Sequence, residues 1–336
     1  MKKLSLINKF IAVINTLTAT LLLISFLGYY ISPNTLPLIS VLSLTTPLLI
    51  GINLLFILYW ILKFKRQFLI STLVLFIGFQ YVTKLYSFEE KKVLLNDDLK
   101  IMSYNVRMFN VYNWIKEENV PQKIYEFINS KNPDVLCLQE FNRSESLGFS
   151  YPYQFVKVNA KGNRFGQAIF SKYKIINSGS LNFSNSSNNA IFADIIKNND
   201  TVRIYNVHLE TLKTNPKEEA FTTENSEKLR IRLQDAFKKQ NNQVNLIVKH
   251  QTNLKHKSII CGDFNNTAFS WAYHQLKKDK NDAFEIAGKG FGKTYNYPFP
   301  FRIDFILVDE KIKVNNFKTY NVEYSDHFPI MARVNI

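Results

Sequence analysis

Three stretches early in the chain, about 10–30, 37–62 and 68–83, run without a single charged side chain. Each approaches the roughly 20 residues that cross a hydrocarbon core, the third being the shortest. The pattern predicts three transmembrane helices. Three buried helices of a soluble protein, or a cleaved signal peptide after Lys2 and Lys3, would be the alternatives. Charge-free runs of this length, the lack of a small-residue cleavage pattern and the two further spans favour an integral membrane region over 1–92.

Beyond residue 92 the pattern changes to short apolar runs separated by polar turns, as in one α/β domain over 93–336. Strands are expected at Leu99–Val106, Asp134–Phe141, Gly166–Ser171, Thr201–Glu210, Ile259–Asp263, Arg302–Val308 and Pro329–Val334. A helix is expected over Pro121–Ser130, with Pro in its first turn and Ile124, Phe127 and Ile128 on one face. A second, basic amphipathic helix starts at about Ser226, with Leu229, Leu233, Phe237, Val244 and Val248 inward. Gly162 and Gly166 free the loop before 166–171. The Asn/Ser tract Asn177–Asn189 and the polar stretch Leu212–Glu224 read as surface loops.

Charge adds an orientation. Lys2, Lys3 and Lys9 precede the first span, no cation lies in Ser32–Thr35, and Lys63, Lys65 and Arg66 follow the second. That alternation places the N-terminus in the cytoplasm and the domain after residue 86 on the outer face of a plasma or inner membrane. Lys84, Lys91 and Lys92 pull the other way, towards a cytoplasmic domain. Of the formal charge of +15, residues 1–92 hold nine Lys/Arg against two Asp/Glu; the remainder holds 33 against 25, leaving +8. A balance of that sign suits an anionic substrate or a lipid surface, and equally a lysine-rich solvated face. The two cysteines, Cys137 and Cys261, each fall inside an apolar strand and read as core residues, with a bridge open only if those strands are neighbours.

Candidate chemistry gathers at strand ends. Ile259–Asn265 is an apolar strand closing on Gly262 and then presenting Asp263 and Asn265. In Asp134–Phe141 the period of two puts Leu136, Leu138 and Glu140 on one side. In Thr201–Glu210 it puts Val202, Ile204, Asn206 and His208 together. With Asn105, Asp304, Asp326 and His327 the set is oxygen-rich, poor in histidine and without usefully spaced cysteine. That suits Mg²⁺ or Mn²⁺ rather than a closed zinc site. There is no phosphate-binding glycine loop and no serine elbow, so metal-assisted attack of water on a phosphate ester is the reaction class that fits.

The ordered motifs YNV at 104–106, QE at 139–140, NVHLE at 206–210, GDFN at 262–265, RIDFILV at 302–308 and SDHFPI at 325–330 resemble the endonuclease/exonuclease/phosphatase superfamily, the fold of DNase I. The resemblance covers about 97–336. It implies a four-layered α/β sandwich: two mixed sheets packed face to face, helices outside, and a cleft at one edge. It implies Glu140 as the principal metal ligand with Asn105 and Asp326 nearby. Asp263 would orient or deprotonate the attacking water, and Asn265 would bind a phosphoryl oxygen. His327, oriented by Asp304, would contact the phosphate, and His208 would be the second active-site histidine. The family spans DNA and RNA nucleases, inositol phosphatases and sphingomyelinases, so the substrate stays either a lipid head group or a nucleic acid. The aromatic loop Phe291–Phe301 could rest on lipid, line the cleft or cover the sheet edge. A membrane module that keeps the fold for binding alone is the rival of different class.

Overall fold

In the computed structural model, residues 4–143, 148–158, 165–212 and 223–336 are described. The loop around Gly162 and most of the predicted loop Leu212–Glu224 lie outside them. Contacts divide the chain into two compact units. The first comprises 1–85 with 213–241 and 268–274; the second holds 86–212, 242–267 and 275–336.

The first unit begins with α1 (Leu6–Ser25), which continues as a short 3₁₀ turn to Tyr29. Over Leu6–Tyr29 it is long and apolar enough to cross a membrane, with a mean hydropathy of 2.2. The other two expected spans are each broken. α2 (Pro37–Ser43) meets α3 (Thr46–Leu62) at 56°, and α4 (Phe68–Ile77) meets α5 (Phe79–Leu85) at 79°. Pro47, in the first turn of α3, supplies no N–H to the preceding turn and so ends α2. Gly78 breaks the second pair where a Cβ would fall 2.2 Å from the Phe26 ring. Either bent pair reaches spanning length only if taken as one segment. Within the unit, Asn15 donates to Ser71 Oγ (2.6 Å), Ser71 to Asn53 Oδ1 (2.7 Å) and Trp60 Nε1 to Asn15 Oδ1 (2.8 Å), all fully buried. This network satisfies Asn15, Asn53 and Ser71, which α1, α3 and α4 carry inward, and Thr46 Oγ1 donates separately to Ser25 Oγ at 3.0 Å.

Among the described residues the second unit has twelve strands: β1 (Leu99–Asn105), β2 (Val135–Asn142), β3 (Tyr153–Val158), β4 (Phe165–Ser171), β5 (Ile175–Ser180), β6 (Ala190–Lys197), β7 (Asp200–His208), β8 (Lys257–Asp263), β9 (Lys280–Asp282), β10 (Asp304–Asp309), β11 (Lys313–Thr319) and β12 (Ile330–Asn335). They form two six-stranded mixed sheets, ordered β11-β12-β1-β2-β4-β3 and β5-β6-β7-β8-β10-β9. The parallel pairs are β1·β2 and β7·β8. Its helices are α6 (Val120–Lys131) and α9 (Ala283–Ala287), together with the last residues of α7 (Thr223–Gln251) and α8 (Trp271–Lys277), whose earlier residues belong to the first unit.

Alternation along the strands builds the sandwich. Ile101, Val135, Cys137 and Ile169 of one sheet join Ile191, Val202, Ile204, Ile259, Cys261 and Ile306 of the other in one buried cluster. The opposite face of the first sheet, with Met102, Leu136, Leu138 and Phe170, buries Ile124 and Ile128 of α6. Cys137 and Cys261 are both buried thiols, unbridged, in the inter-sheet layer.

The same layer turns polar towards one end. Asn206 Nδ2 donates to Leu138 O (2.8 Å) and Ala168 O (3.0 Å), while Gln139 Nε2 donates to Asn206 Oδ1 (2.7 Å) and Ser103 Oγ (3.1 Å). These bonds tie the two sheets together directly beneath the ends of β1, β2, β7 and β8.

Candidate active site

The register of the second sheet sets three candidate residues side by side. His208 is the pairing partner of Asp263 across β7·β8, and Asp304 is its partner across β8·β10. Gly262 permits this approach. Its φ is +139°, and a Cβ there would lie 1.9 Å from Val207 O. From the first sheet, Asn105 ends β1, and Glu140 sits at a bulge in β2 between Gln139 and Phe141. Glu140 adopts φ +49°. The bulge passes the apolar face that holds Leu136 and Leu138 on to Phe141, so strict alternation does not place Glu140 with them, contrary to the sequence expectation. The extra residue swings its carboxylate to the sheet edge instead.

Asp263 Oδ2 is the hub. It accepts from Asn105 Nδ2 at 3.1 Å and lies 3.5 Å from His208 Nε2 and 3.7 Å from His327 Nε2. Its other oxygen accepts from the backbone N–H of Asn265 at 2.7 Å. Glu140 Oε1 is 3.4 Å from Asn105 Nδ2 and 3.9 Å from His208 Nε2. His327 Nδ1 is bonded to Asp304 Oδ2 at 2.9 Å. Asp304 is fixed in turn through its N–H, which donates to Thr294 Oγ1 (3.0 Å). All eight candidates therefore meet, directly or through one neighbour. Asp326 joins through Arg107, whose Nε is 3.2 Å from its carboxylate and whose N–H donates to Asn105 Oδ1 at 3.0 Å. Asn265 Nδ2 donates to Leu209 O at 3.0 Å.

Burial and charge set the protonation states. Burial pushes Asp263 up to about 6, although the His327 and His208 charges draw it back. Glu140 is raised by burial and then by the neighbouring Asp326. Burial holds His208 below the ordinary imidazole range despite Asp263. Burial acts on His327 in the same direction, but Asp304 and Asp263 outweigh it and carry it well above that range. Two imidazoles in one cleft are thus set apart, one neutral and one cationic.

Among the described residues, Asp263, Asp304 and His327 each offer a ligand atom for a metal within 4.8 Å of the other two. In that trio His327 and Asp304 are already engaged with each other. Glu140 and Asp326, expected from the sequence as ligands, are outside it, with side chains still about a quarter exposed (23% and 26%). Their mutual repulsion raises Glu140, and a divalent cation would relieve it; the oxygen-rich donor set fits such an ion.

Sequence reasoning missed Arg107, Ser325 and Thr294. Ser325 Oγ donates to Asn105 O at 2.8 Å, tying the segment before β12 to the end of β1. Arg107 and Ser325 do have a sequence signal, since one follows YNV directly and the other opens SDHFPI. The aromatic loop backs the cleft in part: Tyr295 pairs with His327 along the backbone, their rings 5.2 Å apart.

A two-sheet α/β sandwich with histidines and carboxylates gathered where its strand ends meet is the architecture of hydrolases acting on phosphodiester bonds. The endonuclease/exonuclease/phosphatase family model matches residues 102–327, more than half of the chain, and the chain belongs to that family. A second family, a domain of unknown function (DUF8431), matches residues 8–85. Among solved structures the fold is similar to humanized D. rerio TDP2, with 18% identity and TM-score 0.55 over 72% of this chain and 100% of that one. D. rerio TDP2 complexed with a single-strand DNA product gives 17% identity and TM-score 0.54, over 72% and 100%. The human Nocturnin catalytic domain with a bound sulfate gives 15% and 0.52, over 75% and 97%. No curated protein matches.

Proposed function

We propose that the protein is a membrane-anchored phosphodiesterase that uses a divalent metal ion, Mg²⁺ or Mn²⁺, to hydrolyse a phosphodiester with water. Residues 1–92 form the membrane region and 93–336 the catalytic domain. The observation that carries the reading is Asp263 Oδ2 within 3.7 Å of Asn105 Nδ2, His208 Nε2 and His327 Nε2. A carboxylate so buried and so surrounded is poised to accept a proton near neutral pH.

Glu140, Asn105 and Asp326 would hold the ion, which when bound neutralises charge on the phosphate and on the departing oxygen. Asp263 orients the attacking water and takes its proton. Asn265, held against Asp263 by its own N–H, binds a phosphoryl oxygen as negative charge develops. His327 keeps its proton because Asp304 faces its Nδ1, so it meets the anionic phosphate as a cation. His208, neutral, stands beside Asp263 and Glu140, where its N–H can hydrogen-bond the departing oxygen, which takes its proton from solvent. Arg107 holds Asp326 and Asn105 in place.

The test is hydrolysis by the purified full chain in detergent, with Mg²⁺ and with EDTA. Single-stranded DNA, duplex DNA and vesicles containing sphingomyelin or phosphatidylinositol serve as parallel substrates. Cleavage that EDTA abolishes and Mg²⁺ restores is expected for at least one of them. Failure of all would leave the fold serving binding alone.

A further inference from the structure

The chain just after Asn105 takes an unusual path. Arg107, Met108, Phe109 and Asn110 have φ of +42°, +52°, +56° and +61° in succession. None is glycine, and for Arg107, Met108 and Phe109 this is a strained conformation that the surroundings must enforce, Asn110 alone being of a type that adopts it readily. Phe109 is buried, and Asn110 clamps the following loop, its Oδ1 accepting from Ile115 N (2.9 Å) and its Nδ2 donating to Ile115 O (2.8 Å). The clamped loop presents Tyr112 and Trp114, ring centroids 5.0 Å apart, 65% and 40% exposed. The Arg107 guanidinium lies 4.3 Å from the Trp114 ring centroid while its Nε pairs with Asp326, next to His327. A rigid aromatic surface is thereby fixed two contacts from the reacting centre. Across the site, Tyr297 stacks on Tyr295, which itself lies against His327.

We propose that Trp114, with Arg107 and Tyr112, is a base-stacking subsite, and that the phosphodiester handled here carries a nucleobase: single-stranded nucleic acid rather than a lipid head group. The proposal rests on the phosphodiesterase reading and narrows its substrate. A planar base gains from an exposed indole whatever its sequence. The neighbouring guanidinium adds attraction for the adjoining phosphate. A choline head group could also seek an aromatic face, but beside the Arg107 guanidinium, which covers one face of that ring, its cation meets like charge, whereas a neutral base stacked on the other face does not. An inositol has no π-face to stack. A duplex hides its base faces, so an unpaired strand is the form that fits. The +8 balance of 93–336 suits a polyanion.

The experiment is fluorescence anisotropy with the full chain in detergent micelles and EDTA, so that no turnover occurs. The probes are a labelled short single-stranded oligonucleotide and a backbone of equal length lacking bases. The base-bearing probe is expected to bind at least about 5-fold more tightly. Trp114→Ala should bring that ratio close to one, Trp114→Phe should keep most of it, and Tyr112→Ala should reduce it in part. Equal binding of both probes by the unaltered protein overturns the proposal. So does a preference that Trp114→Ala leaves intact, or displacement of the oligonucleotide by phosphocholine micelles. Hydrolysis with Mg²⁺ is scored separately. Base-selective binding without cleavage supports the subsite and removes the phosphodiesterase reading. Cleavage of both probes at one rate keeps that reading and overturns the subsite.

Discussion

Asp263 and the two histidines around it divide the work of the site by their surroundings rather than by their chemistry. Replacing Asp263 by Asn keeps its shape and its bond from Asn265 N–H but removes the proton acceptor. The turnover number should fall about 10³-fold with substrate binding retained, which single-turnover kinetics will show. His208→Ala should slow turnover about 10²-fold and leave a measurable rate; an unchanged rate would return His208 to a purely structural place beneath the cleft. In the metal-free protein the imidazoles should titrate on opposite sides of the ordinary histidine value. As pH rises His208 should lose its proton first and His327 last, a sequence that ¹⁵N NMR of the rings can read directly. These residues were legible because strand ends carry few polar side chains, so each stood out. Glu140 was legible as a residue but not in its direction, since a bulge depends on tertiary packing and leaves no mark in a period-two pattern.

At the scale of elements, seven of the twelve described strands were readable from their apolar patterns, with limits within two residues of those expected, whereas β3, β5, β6, β9 and β11 were not expected. β5 (Ile175–Ser180) takes Asn177–Ser180 out of the Asn/Ser tract read as a loop, because backbone pairing with β6 needs no apolar side chain there. The breaks in the second and third apolar segments were not. Hydropathy registers composition along 37–62 and 68–83 but is blind to the consequences of Pro47 and Gly78. The strained turn at Arg107–Asn110 was equally silent, because in RMFN only Asn110 favours left-handed backbone and Arg107, Met108 and Phe109 do not. Pairing across strands carries a stability prediction of its own. Arg203 and Asp194 are partners across β6·β7, with Nε and Nη2 bonded to the carboxylate at 2.6 and 2.7 Å. Burial alone would raise Asp194, but Arg203 outweighs it and holds the carboxyl below its usual range. The native carboxylate therefore stays charged after the unfolded one would protonate. Its contribution is complete above about pH 4 and is lost as pH falls through the lower native value. Arg203→Ala should cost about 3 kcal/mol at neutral pH, and urea midpoints should converge with those of the unaltered protein as the medium is acidified.

For the molecule as a whole, the proposed arrangement puts the N-terminus in the cytoplasm and the catalytic domain on the other face. A C-terminal alkaline phosphatase fusion should be active and a C-terminal green fluorescent protein dark; the reverse would mean that Lys84, Lys91 and Lys92 set the orientation. Sheet order adds a consequence for biosynthesis. β12 lies between β11 and β1, so the strand that opens the domain, with Leu99 opposite Val334, waits for a partner made more than two hundred residues later. His327 arrives with that partner, and Ser325 locks it to Asn105. A ribosome stalled anywhere before this point leaves a tethered chain with an open sheet edge and no assembled cleft. Such a product lacks His327 and so, on the phosphodiesterase reading, turns nothing over before the last strand is made.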